Sequence, residues 1–356
     1  MAATNLNLEI VDVRGKASQS VNMSASSHDI ALPLEQAMRR ALPSVVSIAD
    51  LKRLSGGASQ ETWSFDGVTS SGRLPLVLRR APGGTALKRT TTGASLATEA
   101  DIIRLALKAG VPVPEVPYVL QDSDNLGPGY IMARIEGETI ARKILRDDLF
   151  AGARPVLAHQ CGVILASIHN ISLKNLPQLS VLTPKDHLAQ YRDVYASYDY
   201  PHPVFDTAFK WLEQRLPTTE SLSLVHGDFR NGNLMIGSNG VRAVLDWELT
   251  HIGDPAEDLG WLCVNSWRFG ETNKVVGGFG DVNQLLDGYQ SAGGKGMTAE
   301  RVKFWEIFGT LKWGIMCMTM YQAFAQGSDR TVERAAIGRR SSETEIDLIN
   351  LLFPPK

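Results

Sequence analysis

Between about residue 45 and residue 137 the apolar positions fall into short runs, each closed by Gly, Pro, Ser or Asp. That spacing predicts strands at Val45–Leu54, Glu61–Phe65, Leu74–Arg79, Val116–Leu120 and Tyr130–Gly137. One stretch inside this region has helical spacing instead: Leu96–Lys108 carries Leu96, Ala100, Ile103 and Leu107 on one face. A second predicted helix, Leu34–Leu42, precedes the strands and stops at Pro43. From residue 139 the pattern is mostly helical, with long apolar faces at Val156–Ile168, His187–Tyr200, Phe205–Leu216 and Phe304–Ala325. Three short strands interrupt it: Ser223–Val225, Asn233–Ile236 and Val241–Asp246, the last two joined by the tight turn Gly237-Ser238-Asn239-Gly240. Strands first and helices afterwards argue an α+β chain with an N-terminal antiparallel sheet lobe and a mostly helical C-terminal lobe. Residues 1–30 lack lasting periodicity and read as a flexible extension, although Asn7–Val13 has the pattern of an edge strand.

Composition narrows the class. The chain has 356 residues, is 44% hydrophobic and has a net charge of −2, enough to bury the core of two lobes. Charges of both signs are interspersed, so no basic stripe points to nucleic acid or to a membrane surface. Cys161, Cys263 and Cys317 lie far apart in apolar surroundings, without metal-ligand spacing, and read as buried thiols of a reducing compartment. No stretch is long enough to span a bilayer and no leader pattern opens the chain. Together these features predict a soluble, cytoplasmic protein.

The chemistry concentrates in residues 226–246. His226-Gly227-Asp228-Phe229-Arg230-Asn231-Gly232-Asn233 is followed by Val244-Leu245-Asp246 at the end of an apolar run. An Asp, an Asn five residues later and a second Asp thirteen beyond that is the spacing of kinase-type phosphoryl transfer. Asp228 is the candidate catalytic residue, orienting and deprotonating the attacking hydroxyl. Asn233 and Asp246 are the candidate Mg²⁺ ligands. A phosphoryl group in transit needs charge neutralisation and an in-line nucleophile, and hard oxygen ligands supply the first. The competing reading is a polar-ended β-hairpin in which Asp228 only caps a turn. His226 reads as a residue that positions the loop, and Asp254 and Asp258 as structural braces.

With these residues in place the chain resembles the aminoglycoside phosphotransferase-like family of small-molecule kinases, from about residue 45 to its end. It is similar in particular to the branch that occurs alone in bacteria and fused to acyl-CoA dehydrogenases in animals. Val77-Leu78-Arg79-Arg80, Asp254-Pro255-Ala256-Glu257-Asp258-Leu259-Gly260 and Ala336-Ile337-Gly338-Arg339-Arg340 carry that second likeness. The resemblance implies a two-lobed protein-kinase-like fold, with a nucleotide-binding lobe at 31–132, a hinge at 133–138 and a helical lobe with the acceptor site at 139–356. It implies ATP as donor, with GTP possible, and Mg²⁺ as cofactor.

It also assigns the nucleotide contacts. The turn Ser55-Gly56-Gly57-Ala58-Ser59 would cover the phosphates, although it lacks the G-x-G-x-x-G pattern and a plain hairpin turn reads the same way. Arg79 stands where the kinase plan has a lysine that bridges the phosphates and a helix glutamate, here Glu99. A guanidinium keeps the charge but is longer and planar. Arg80 points to the opposite strand face, and a solvated arginine pair is the alternative. Met132 to Arg134 would read the adenine edge through their backbone. Arg230 replaces the Leu or Tyr more usual in the family, and its role stays open. Glu248 reads as a solvated carboxylate.

The expected function is ATP- and Mg²⁺-dependent phosphorylation of a small-molecule hydroxyl, with a hydroxyacyl-CoA-like metabolite as the acceptor the branch suggests. Only seven residues separate Asp246 from Asp254, too few for the regulatory loop of a protein kinase. An antibiotic kinase is the first alternative, although residues 184–215 balance their charges and suggest no acidic funnel for a polycation. A nucleotide-binding pseudokinase scaffold is the second, supported by Arg79 and the atypical glycine turn.

Overall fold

The computed structural model describes residues 27–54, 60–82, 94–218 and 222–354. The glycine-rich turn Ser55–Ser59 and the extension up to residue 26 lie outside the described residues.

The first helix, α1 (Ser27–Ala41), begins seven residues earlier than its spacing predicts and runs through Pro33. Pro33 sits in the second turn, and Ile30, Leu34, Ala37 and Met38 form one buried stripe along the helix. The expected boundary at residue 30 therefore falls inside an element of the lobe. The stripe packs on one face of a sheet built from β1 (Val45–Arg53), β2 (Glu61–Thr69), β3 (Gly72–Arg80), β4 (Tyr118–Val119) and β5 (Gly129–Ala133), in the order β1-β2-β3-β5-β4. All its pairings are antiparallel. The period of two along β3 sends Leu76 and Leu78 towards α1 and Val77 and Arg79 to the other side. Arg80 joins the α1 side as a buried ion pair with Glu61 at 2.8 Å, so neither arginine is solvated. The helix α2 (Leu96–Lys108), capped by Ser95, lies across the second face and buries Ala100, Ile103 and Glu99.

The helical lobe contains α3 (Ala141–Arg146), α4 (Arg154–His169), α5 (Pro184–Ala196), α6 (Pro203–Glu213), α7 (Ala256–Cys263), α8 (Val282–Ser291), α9 (Ala299–Ala325), α10 (Val332–Gly338) and α11 (Ser341–Leu352). Its centre is α9, 27 residues long, in which almost every position from Val302 to Ile315 is buried. That all-round burial explains why its methionine- and tryptophan-rich sequence has no polar face. Four short strands hold the catalytic segment: β6 (Ser223–Val225), β7 (Leu234–Gly237), β8 (Gly240–Val244) and β9 (His251–Gly253). β7 and β8 form the expected hairpin. β9 has no counterpart in the sequence reading and pairs antiparallel with β6. The two lobes share one continuous core, which runs from Ile103 and Tyr130 to Phe229, Trp247 and Phe308. The fold is the two-lobed protein-kinase-like arrangement. Among the described residues no helix is long and apolar enough to cross a membrane.

Candidate active site

Backbone geometry places Asp228. Gly227 has φ +82°, and a Cβ there would meet the Leu249 carbonyl at 2.5 Å, so only glycine allows the sharp turn out of β6. The turn is held from below by Asp258 on α7. Its carboxylate accepts the backbone N–H of His226 at 2.8 Å and of Gly227 at 2.9 Å, and His169 Nε2 at 3.1 Å. Asp254 is braced similarly, accepting from Ala256 N and Arg301 Nη2.

His226 is fixed in one tautomer. Its Nε2–H donates to the Leu245 carbonyl at 3.1 Å, and its Nδ1 accepts the Asp228 N–H at 3.2 Å. Burial holds its pKa below the ordinary value, in spite of Asp258 and Asp228 nearby. A neutral ring with both nitrogens engaged is a strut between the two acidic segments.

Three donors converge on Asp228. Trp261 Nε1 reaches Oδ1 at 2.7 Å and Arg230 Nε the same oxygen at 3.0 Å. Asn233 Nδ2 reaches Oδ2 at 2.6 Å and the Asp228 carbonyl at 3.0 Å. Because the Asn233 amide nitrogen is occupied, its carbonyl oxygen is left over for a cation. The Asn233 carbonyl in the backbone accepts from Leu245 N at 2.9 Å, which brings Asn233 beside Asp246. Asp246 has φ +64°, an uncommon conformation outside glycine, and terminates the strand by turning its carboxylate out of the hairpin.

Across the cleft, Arg79 reaches three carboxylates: Asp246 at 2.6 Å, Glu99 at 3.4 Å and Glu248 at 3.6 Å. The planar fork of a guanidinium permits this in a way a lysine ammonium does not. Glu248 is therefore a cleft residue in an ion-pair cluster, and its backbone carbonyl accepts from Ala94 N. Burial pushes the Glu99 carboxyl up to about 7, with Arg79 pulling the other way, and the Tyr130 hydroxyl donates to it at 3.2 Å. Arg79 is itself buried, which works to lower its pKa, yet the surrounding carboxylates hold it above the ordinary value.

At the hinge, Met132 pairs with Val77 on the cleft face of the sheet, and its side chain packs half-buried against the shared core. The Arg134 N–H donates to the Pro75 carbonyl and that of Ala133 to Glu115. The Arg134 side chain turns away to pair with Asp66 at 2.8 Å. Both N–H groups thus have backbone partners within the lobe. The structure brings together Asp228, Asn233, Asp246, Arg79 and Glu99; it sends Arg134 elsewhere, and the turn at 55–59 is outside the described residues.

A second polar cluster lies behind Trp261. His187, His251 and Glu257 present three possible metal-ligand atoms within 4.8 Å of one another, all buried. Glu257 also accepts from Lys312 at 3.1 Å, and His251 faces two acceptors, Leu249 O at 2.9 Å and Glu257 at 3.1 Å. A ring between two acceptors needs both protons. Burial opposes that charge, but Glu257 raises the His251 pKa above its ordinary value. The ammonium and imidazolium satisfy Glu257, and the cluster closes as an ion-pair network. Asp246 and Asn233 have the hard oxygen atoms that suit Mg²⁺.

Fold and site together define a small-molecule phosphotransferase. The profile of the "Phosphotransferase enzyme family" matches residues 50–294, and the chain belongs to that family. Mouse acyl-CoA dehydrogenase family member 10 is 31% identical over 221 residues, covering 58% of this chain; the chain spans only 20% of that relative's length. A putative aminoglycoside phosphotransferase from Ralstonia eutropha has the same fold, with a TM-score of 0.70 and 20% identity over 90% of this chain and 97% of its own. A thermostable mutant of aminoglycoside phosphotransferase APH(4)-Ia, solved with AMP-PNP and hygromycin B, superposes with a TM-score of 0.58 and 17% identity, over 91% of this chain and 100% of its own.

Proposed function

We propose that the protein transfers the γ-phosphoryl group of ATP, or of GTP, to a hydroxyl of a small molecule, with Mg²⁺ as cofactor. The observation that carries this reading is the convergence of Asp228, Asn233 and Asp246 on one side of the cleft with the Arg79–Glu99 pair on the other. APH(4)-Ia, which shares the fold, binds AMP-PNP in its solved complex.

In this reading the acceptor hydroxyl binds at Asp228, whose carboxylate is held in register by Trp261, Arg230 and Asn233. It orients the nucleophile and takes its proton. Asp246 and the Asn233 carbonyl would hold Mg²⁺, which when bound would supply charge neutralisation for the transferring group. Arg79, held on its other side by Glu99, would be placed to contact the nucleotide phosphates across the cleft from Asp246. Val77 and Met132 form the apolar floor for the base. A hydroxyacyl-CoA-like acceptor is the candidate suggested by the likeness to part of a protein named for an acyl-CoA dehydrogenase family.

The test is calorimetric titration of MgATP and MgGTP into the wild type and into Asp246→Ala. Magnesium-dependent binding of one nucleotide, abolished by the substitution, is the expected outcome. Binding of neither nucleotide would sink the kinase reading and favour a scaffold.

A further inference from the structure

We propose that Arg230 is the receptor for an anionic group on the acceptor, so that the site takes a hydroxyl compound bearing a carboxylate or phosphate and rejects amines. This rests on the kinase reading and narrows its acceptor class.

The argument starts at Asp228. A carboxylate offers about four lone-pair positions. Oδ1 has two donors, Trp261 and Arg230, and Oδ2 has one, Asn233. The open position is on Oδ2, and a hydroxyl bound there shares the Asp228 carboxylate with Arg230, whose Nε holds Oδ1. That guanidinium is not used as a counter-ion ordinarily is. Arginine–carboxylate pairs are frequently made with two parallel N–H groups. Here only Nε touches Asp228, and among the described residues the two terminal amino groups make no hydrogen bond. The group is posed by stacking instead, with its central carbon 4.5 Å from the Trp267 ring centroid, and its side chain is 25% exposed. The side chain is held at Nε and against the ring, and its terminal fork is open.

The surroundings share that sign. Trp261, Trp267 and Trp313 form a continuous aromatic wall, with ring centroids 5.2 and 4.9 Å apart. Each ring carries a cation: Lys312 at 4.9 Å from Trp261, Arg230 at 4.5 Å from Trp267, Arg340 at 5.9 Å from Trp313. Lys312 is spent on Glu257 and Arg340 on Glu343. Arg340, like Arg230, is engaged through Nε alone, and Arg230 is the member of the three whose Nε rests on Asp228. Beside it, from Gly232 on the catalytic loop, runs a groove of about 1050 Å³ that also carries Arg142 and Arg146, both exposed. The acids of this groove are engaged: Glu343 pairs with Arg340, and Asp347 accepts from Asn265 at 2.8 Å. An acceptor amine would meet like charge at its first contact, whereas an anion completes the fork.

The experiment uses matched short-chain compounds: hydroxyalkanoates, their amides and the corresponding aminoalcohols. They are titrated calorimetrically into the full chain, with and without magnesium AMP-PNP, for wild type, Arg230→Ala and Arg230→Lys. The wild type should bind the carboxylates about ten- to a hundredfold more tightly than the amides, the range for a charge-assisted hydrogen bond. Arg230→Ala should erase that ratio while AMP-PNP affinity is unchanged, and Arg230→Lys should keep part of it. Amides or aminoalcohols binding as tightly as carboxylates, or no carboxylate binding at all, overturns the proposal. So does a preference that survives in Arg230→Ala. If AMP-PNP itself fails to bind the wild type, the kinase reading falls, and the nucleotide-free titrations judge the anion site separately.

Discussion

Three side chains hold the Asp228 carboxylate, and each can be removed singly. Asp228→Ala should lower kcat by about 10²–10⁴-fold, the usual contribution of a positioned base, and leave MgATP affinity unchanged in a direct titration. Trp261→Phe keeps the ring and deletes one donor. It should lower kcat about tenfold without altering nucleotide KM, as steady-state kinetics would show. That Asp228, Asn233 and Asp246 would come together was legible in the sequence, because the β7–β8 hairpin and the loop that enters it bring Asn233 beside both. Trp261 was not singled out, although a signal existed: Asp258 grips the backbone at 226–227, and Trp261, three residues on along α7, lies one turn above it and over Asp228. Lys312, His251, His187 and Glu257 had no such local signal, since four separate elements bring them together. The backbone partners of Arg134 and Ala133, Pro75 and Glu115, were hidden for a similar reason, since they lie far away in sequence.

Among the elements, α1 departs most from its sequence reading. Pro33 suppressed the helical signal ahead of it, yet the apolar stripe from Ile30 to Met38 covers one whole face of the sheet. Leu34 is fully buried, so Leu34→Ala should cost about 2–5 kcal/mol in denaturant unfolding, as a core truncation does. A surface appendage would give no such loss. The short strand β9 was missed because three residues carry no periodicity; its existence follows from pairing with β6. Long helices such as α4 and α9 were read correctly in kind because their apolar faces extend over many turns.

For the whole molecule, buried titratable groups predict a pH response. Burial holds His226 and His187 below the ordinary histidine pKa, so the folded state resists protons that the unfolded chain accepts below about pH 6.5. Stability should therefore fall as pH drops through that value. His251, raised by Glu257, contributes in the opposite direction, with stability present below about pH 6.5 and lost as pH rises through its raised value. His226→Gln removes one acid-sensitive group and should flatten the decline between about pH 6.5 and 5, measured as thermal midpoint against pH. The segment between Asp246 and Asp254 has a broader consequence. It is zipped into β9, its far end is clamped by Arg301, and nothing in it is long enough to swing. A covalent modification within this segment would have no hinge to throw, so this stretch is a fixed wall of the cleft and not a switch.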